Sequence, residues 1–170
     1  MKRKFAGAAL ILVSASLVVS AQKMAEIPNP SIDMKGYLEV SREAAAHRQS
    51  RRVTEEEFIR MSREPGTVIL DARSRDKFDE LHVKGAINLP FPDIAIESLK
   101  AAIPDRNTRI LIYCNNNFAN AEGPFPAKIA RASLNLSTYI ALYSYGYHNV
   151  YELEPLIDLK SSKLPFVSRP

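Results

Sequence analysis

The chain has 170 residues, 46% apolar and 25% charged, with a formal charge of +4. That is enough for one globular domain and little more. Three of the positive charges are Lys2, Arg3 and Lys4; without them 20 basic residues face 19 acidic ones. In so nearly neutral a chain, with no basic stripe interleaved with aromatics, nothing favours nucleic acid as a partner, and none is expected.

Lys2-Arg3-Lys4 and the apolar run from Phe5 to Val19 have the layout of a secretory signal, with Val19-Ser20-Ala21 at the cleavage positions. Residues 1–21 are therefore expected to be removed and the protein to be periplasmic or secreted. The run falls short of the ~20 apolar residues of a membrane span, so no stable span is expected after cleavage. Export implies an oxidising compartment, where the only cysteine, Cys114, cannot form an internal disulfide. A lone thiol there is open to oxidation, which favours a chemical role over an inert one.

Residues 22–52 read as an N-terminal extension, extended at first and then helical from Tyr37 to Arg52 around Ala44-Ala45-Ala46. Thr54 and Glu57 fit a capping box for a helix running to about Arg63, stopped by Pro65-Gly66. Thr67 to Leu70 reads as a buried strand ending at Asp71. Ser74 to Glu80 is a short helix or loop. Ala86 to Leu89 is a second strand candidate, and Ile94 to Ile103 has helical spacing until Pro104. Ile110 to Tyr113 is the third strand, and Cys114 follows it directly. Ser137 or Thr138 can cap a helix that stops at Gly146, and Val150 to Leu153 is the fourth strand. Tyr139, Tyr143, Tyr145, Tyr147 and Tyr151 are expected to cover the sheet with their hydroxyls at the surface. Residues 160–170, with two prolines, read as a loosely held tail. Alternating strands and helices over 53–159 indicate an α/β domain with a mostly parallel sheet.

A cysteine at the C-terminal end of a buried strand lies where α/β proteins build sites. The polar stretch Asn115, Asn116, Asn117, Phe118, Ala119, Asn120 follows it. Backbone amides of such a loop can form a nest for a sulfur anion, and asparagine tolerates the positive φ that a tight cradle requires. No glycine-rich phosphate loop appears, and His47, His82 and His148 lack metal-ligand spacing. No cofactor or metal is therefore expected.

The runs Val68-Ile69-Leu70-Asp71-Ala72-Arg73, His82-Val83-Lys84-Gly85-Ala86-Ile87-Asn88-Leu89-Pro90 and Ile110-Leu111-Ile112-Tyr113-Cys114 resemble, in this order and spacing, the rhodanese (sulfurtransferase) family. Gly146-Tyr147-His148-Asn149-Val150 matches the family's closing strand. The resemblance implies a five-stranded sheet with helices on both faces and a cysteine that carries sulfur as a persulfide. A small sulfur donor or protein persulfide is then the expected partner, with a protein acceptor as a further possibility. In the family pattern Asp71, Arg73 and His82 are structural supports, with Arg73 pairing with an acid such as Glu80.

The chain departs from that pattern after Cys114. Its loop carries no charge and runs on through Ala121-Glu122-Gly123-Pro124-Phe125-Pro126-Ala127-Lys128 and Arg131 before the next helix. The insertion is stiffened by two prolines; it is expected either to fold over Cys114 as a lid, with Lys128 and Arg131 as its cations, or to bind a partner through Phe118 and Phe125, which makes an inactive binding module the alternative function. A cysteine phosphatase would need an arginine six residues after Cys114, where Asn120 stands. A neutral loop also favours a persulfide, polysulfide or protein-bound donor over dianionic thiosulfate.

Overall fold

The computed structural model describes residues 29–169 of the chain. The expected signal segment, 1–21, and the start of the extension lie outside them. Residues 29–32 form a turn in which the Asn29 side chain accepts from the Ser31 amide. From Asp33 onward the chain is one compact unit. Its elements in chain order are α1 (Met34–Arg48), β1 (Arg52–Val53), α2 (Glu55–Ser62), β2 (Thr67–Asp71), α3 (Arg75–Glu80), β3 (His82–Val83), β4 (Ile87–Asn88), α4 (Ile96–Ala102), β5 (Arg109–Tyr113), β6 (Phe118–Ala119), α5 (Leu134–Ser144), β7 (Val150–Leu153), β8 (Ile157–Asp158) and β9 (Phe166–Val167). Single 3₁₀ turns span Phe91–Asp93, Asn115–Asn117 and Ala130–Ala132.

Five strands form one parallel sheet in the order β1-β7-β5-β2-β4, the α/β architecture expected of the sequence. β5 is central and pairs with β2 over its full length, from Thr67 opposite Arg109 to Asp71 opposite Tyr113. Successive side chains point to opposite faces of a strand. Ile69, Leu111 and Tyr113 therefore join a core with Phe58 and Met61 of α2 and Phe78 of α3. Leu70, Ile110 and Ile112 face the other way, onto Ala44 of α1, Leu99 of α4, and Tyr139 and Leu142 of α5. With both faces covered, β2 and β5 must be apolar throughout, which is why they read as continuous runs.

Local chemistry sets the helix ends. Thr54 Oγ1 accepts from the Glu57 amide at 3.2 Å, capping α2 as the sequence predicts. The returning half of the box is not made: Glu57 binds Arg60 instead. α5 ends at Gly146, whose φ of 85° allows Gly146 N to donate to Tyr143 O and Tyr147 N to Leu142 O.

Three expectations need correction. α5 starts at Leu134 with Ser133 as its N-cap residue, not at Ser137 or Thr138; Thr138 is buried within the helix, and the apolar run starts with Leu134. The tail is held: β9 pairs antiparallel with β3, Leu164 is buried, and Glu55 accepts from the Ser162 hydroxyl and the Lys163 amide. Two-residue strands are too short for a periodic signal, so the pattern could not mark it. Tyr139 and Tyr147 turn their hydroxyls inward, to His47 and to the Ile103 carbonyl.

Candidate active site

Cys114 sits at the C-terminal edge of the parallel sheet, one residue past β5, whose last residue, Tyr113, is paired with Asp71 at the end of β2. The side chain is 1% exposed. Its backbone is fixed by Asn117, whose Oδ1 accepts from the Cys114 amide at 2.9 Å. The same oxygen accepts from Asn135 Nδ2 of α5 at 3.1 Å, and Asn117 Nδ2 donates to the Leu153 and Pro155 carbonyls. Asn117 thus ties the cysteine to α5 and to the end of β7. Among the described residues, the one polar side chain within hydrogen-bond range of Cys114 Sγ is Ser133, its Oγ at 3.4 Å.

The six-amide cradle expected from Asn115 to Asn120 does not form. Asn117 N donates to Cys114 O and Phe118 N to Asn115 O, closing a 3₁₀ turn. Phe118 and Ala119 then leave the site as β6, paired in parallel with β8. Asn120 has φ of 55° and donates through its side chain to Asp158. The turn leaves Asn115 and Asn116, its first two residues, as the amides without an intrahelical partner, as at any helix start. Asn115 is 5% exposed, and its Oδ1 is buried without a partner.

Beside the cysteine lies a cavity of about 380 Å³, lined among others by Arg73, Ser74, Phe91, Asn115, Lys128 and Leu134. The insertion forms part of its wall. Asn116 holds it there from both sides: Nδ2 donates to Lys128 O at 2.6 Å, and Oδ1 accepts from Lys128 N at 3.3 Å. Lys128 is exposed, and Arg131 is exposed in the last 3₁₀ turn and does not line the cavity.

Phe118 and Phe125 are core residues, 3% and 1% exposed, and not the partner-binding surface considered from the sequence. Their rings are tilted at 49° to each other with centroids 4.5 Å apart, and both pack on Phe166. Arg73 explains how the insertion is seated. Its Nη1 donates to Pro124 O at 2.8 Å, its Nη2 to Leu81 O at 2.7 Å, and its guanidinium lies 4.1 Å from the Phe125 ring centre. Its acid partner is Asp71, not Glu80, which pairs with Lys77. Asp71 is fully buried and accepts from Arg73 N, Nε and Nη2 and from the Tyr113 hydroxyl. Burial first, and the Asp71 charge second, push the Tyr113 phenol well above its ordinary range, so it stays a proton donor to that carboxylate. His82 Nδ1 bonds Phe78 O at 2.7 Å and its ring stacks on Phe78, which places it at the α3–β3 corner.

Ser133, Asn135 and Tyr113 were not singled out from the sequence. Ser133 and Asn135 reach the site through the path of the insertion. Tyr113 had a signal: an aromatic hydroxyl at the end of a buried strand needs a polar partner.

The profile of the rhodanese-like domain matches residues 54–155, more than half of the chain. The chain belongs to the rhodanese-like domain family. Within this rhodanese-like chain, 46 residues are 37% identical to the thiosulfate sulfurtransferase PspE of Escherichia coli K12, covering 27% of the chain and 43% of that protein. It thus aligns with less than half the length of this curated relative. Among solved structures, the rhodanese-like domain of the Alr3790 protein from Anabaena sp. is 21% identical over 69% of this chain and 79% of its own, with a TM-score of 0.49. A thiosulfate sulfurtransferase from Pseudomonas aeruginosa is 25% identical over 69% of this chain and 20% of its own, with a TM-score of 0.46.

Proposed function

We propose that this rhodanese-like protein is an exported sulfurtransferase that carries sulfane sulfur on Cys114. The observation that carries the reading is the placement of the lone cysteine at the C-terminal end of the central strand, its Sγ within reach of a hydroxyl and the next residue, Asn115, lining a cavity. In the half-reaction the Cys114 thiolate attacks the outer sulfur of a donor. The donor's S–S bond breaks, its remaining fragment leaves with the electron pair, and Cys114 holds a persulfide. A nucleophilic acceptor then takes the outer sulfur and restores the thiolate. The thiolate, not the thiol, is the competent nucleophile.

Lys77 is already committed to Glu80 and to the Gly123 carbonyl, which leaves Lys128 as the cavity's one lysine without an ion pair among the described residues. That is little charge for a dianion. We therefore favour a persulfide or an organic polysulfide, whose sulfur chain carries no second negative charge, over thiosulfate, although PspE is named for thiosulfate. The test is thiocyanate formation from each donor with cyanide as acceptor. Turnover from polysulfide well above that from thiosulfate, abolished in Cys114→Ser, is the expected result; equal turnover in Cys114→Ser ends the enzymatic reading. The reading as an export signal of residues 1–21 is checked separately, by finding a mature N-terminus at Gln22 in the exported fraction.

A further inference from the structure

The usual way to hold a sulfur anion on a strand-end cysteine, a ring of amides from the following loop, is mostly spent here on a 3₁₀ turn and on β6. What stands at the sulfur instead comes from the far end of the insertion. Ser133 Oγ lies 3.4 Å from Cys114 Sγ. Ser133 occupies the N-cap position of α5, an 11-residue helix, yet its side chain makes no capping bond. Its amide donates to Ala130 O and its carbonyl accepts from Leu136 N, so the backbone is occupied and the hydroxyl is not. A serine at an N-cap ordinarily turns its oxygen onto the helix amides; this one faces sulfur.

A second observation concerns the cavity next to this pair. Asn115 and Leu134, the chain neighbours of Cys114 and Ser133, both line the 380 Å³ cavity. Asn115 Oδ1 is buried without a partner on a side chain that is 5% exposed, an acceptor left for a donor that enters the cavity.

We propose that Ser133 is a catalytic residue of sulfur transfer: its hydroxyl donates a hydrogen bond to the Cys114 thiolate and, after transfer, to the sulfur that Cys114 retains. Ser133 keeps its proton throughout; no bond to it forms or breaks. The assignment rests on Cys114 being the sulfur carrier. A hydrogen bond to an anion is about twice as strong as a neutral one, so this single hydroxyl favours the thiolate measurably.

The test is the pH dependence of Cys114 alkylation by iodoacetamide, followed by intact mass on the full chain, beside sulfur uptake from polysulfide. In Ser133→Ala the alkylation midpoint rises by about one pH unit, roughly tenfold less thiolate below it, with uptake falling in parallel. Ser133→Thr restores both. Ser133→Gly, a residue N-caps tolerate, repeats the comparison should Ser133→Ala not fold. A purely structural role would lower the melting temperature and leave the midpoint in place. An unmoved midpoint in folded Ser133→Ala or Ser133→Gly, with wild-type uptake intact, overturns the Ser133 assignment alone. A wild-type protein that takes up no sulfur overturns the sulfurtransferase reading, and the catalytic role with it.

Discussion

The Asn117 amide uses both its donor and its acceptor ends, joining the Cys114 amide, Asn135 and the carbonyls of Leu153 and Pro155. Asn117→Ala would strand the Cys114 amide, the Asn135 side-chain amide and the Leu153 carbonyl in a buried setting, each at roughly 1–3 kcal/mol. We expect a loss of about 3 kcal/mol in urea unfolding, the low end for three such orphaned groups. Asn117→Asp keeps the acceptor, loses the donor and should fall between; a loss of under about 1 kcal/mol for Asn117→Ala, the size of one ordinary net hydrogen bond, would show that water replaces these bonds freely. Ser133 acts on the sulfur itself, so its removal should move reactivity and leave stability nearly as it was.

The insertion between β5 and α5 is anchored in its first half and clipped in its second. Phe118 and Phe125 are buried, and Arg73 seats Pro124 with a fork that lysine's single ammonium cannot reproduce. Residues 126–132 are exposed, and the described hydrogen bonds tying that stretch to the cysteine turn are the two of Asn116 with Lys128. Asn116→Ala should therefore speed tryptic cleavage after Lys128 and Arg131 several-fold while global stability stays within about 0.5 kcal/mol, as for surface changes generally. Cleavage at the wild-type rate would mean that the chain ends on either side hold the segment unaided. These contacts explain what was legible beforehand. β2 and β5 were readable because strands buried on both faces are apolar runs, and Cys114 was readable because it ends one. β6, β8 and β9 have two residues each and no period to detect. Phe118 and Phe125 looked like a partner surface because their burial depends on remote residues: both pack on Phe166, and Arg73 lies over Phe125. Ser133 was invisible for the same reason: a contact spanning 19 positions, made by an irregular segment, leaves no local pattern.

Over the whole molecule, α1 completes the domain by covering α5. Ala44 is fully buried there, and Arg48 pairs with Glu152, whose side chain in β7 is 7% exposed. Breaking a fully buried pair costs ~3–5 kcal/mol. Arg48 is itself 23% exposed, so Arg48→Ala should cost less, about 2 kcal/mol, because water reaches the carboxylate left behind; an unchanged urea midpoint would show that Glu152 is already hydrated. His47, on the same helix, bonds the Tyr139 hydroxyl and lies near Tyr143, His148 and Arg51. Burial, then Arg51, then His148 hold its pKa below 6.5. The folded state thus binds fewer protons than the unfolded chain near that pH. Stability is at its full value above 6.5 and declines as the pH falls from there to the folded-state pKa. His47→Gln should accordingly lose less melting temperature than wild type between about pH 7.5 and about pH 5.5, the range of histidine titration; equal losses would assign the acid sensitivity to other groups. The central claim, that Cys114 carries sulfur, is tested most directly by intact mass after incubation with polysulfide, then cyanide, with Cys114→Ala alongside. The account predicts a gain of one sulfur atom on the wild-type chain, removed by cyanide and absent from Cys114→Ala. A folded, reduced protein that gains no sulfur from polysulfide, or a gain that persists in Cys114→Ala, would contradict it.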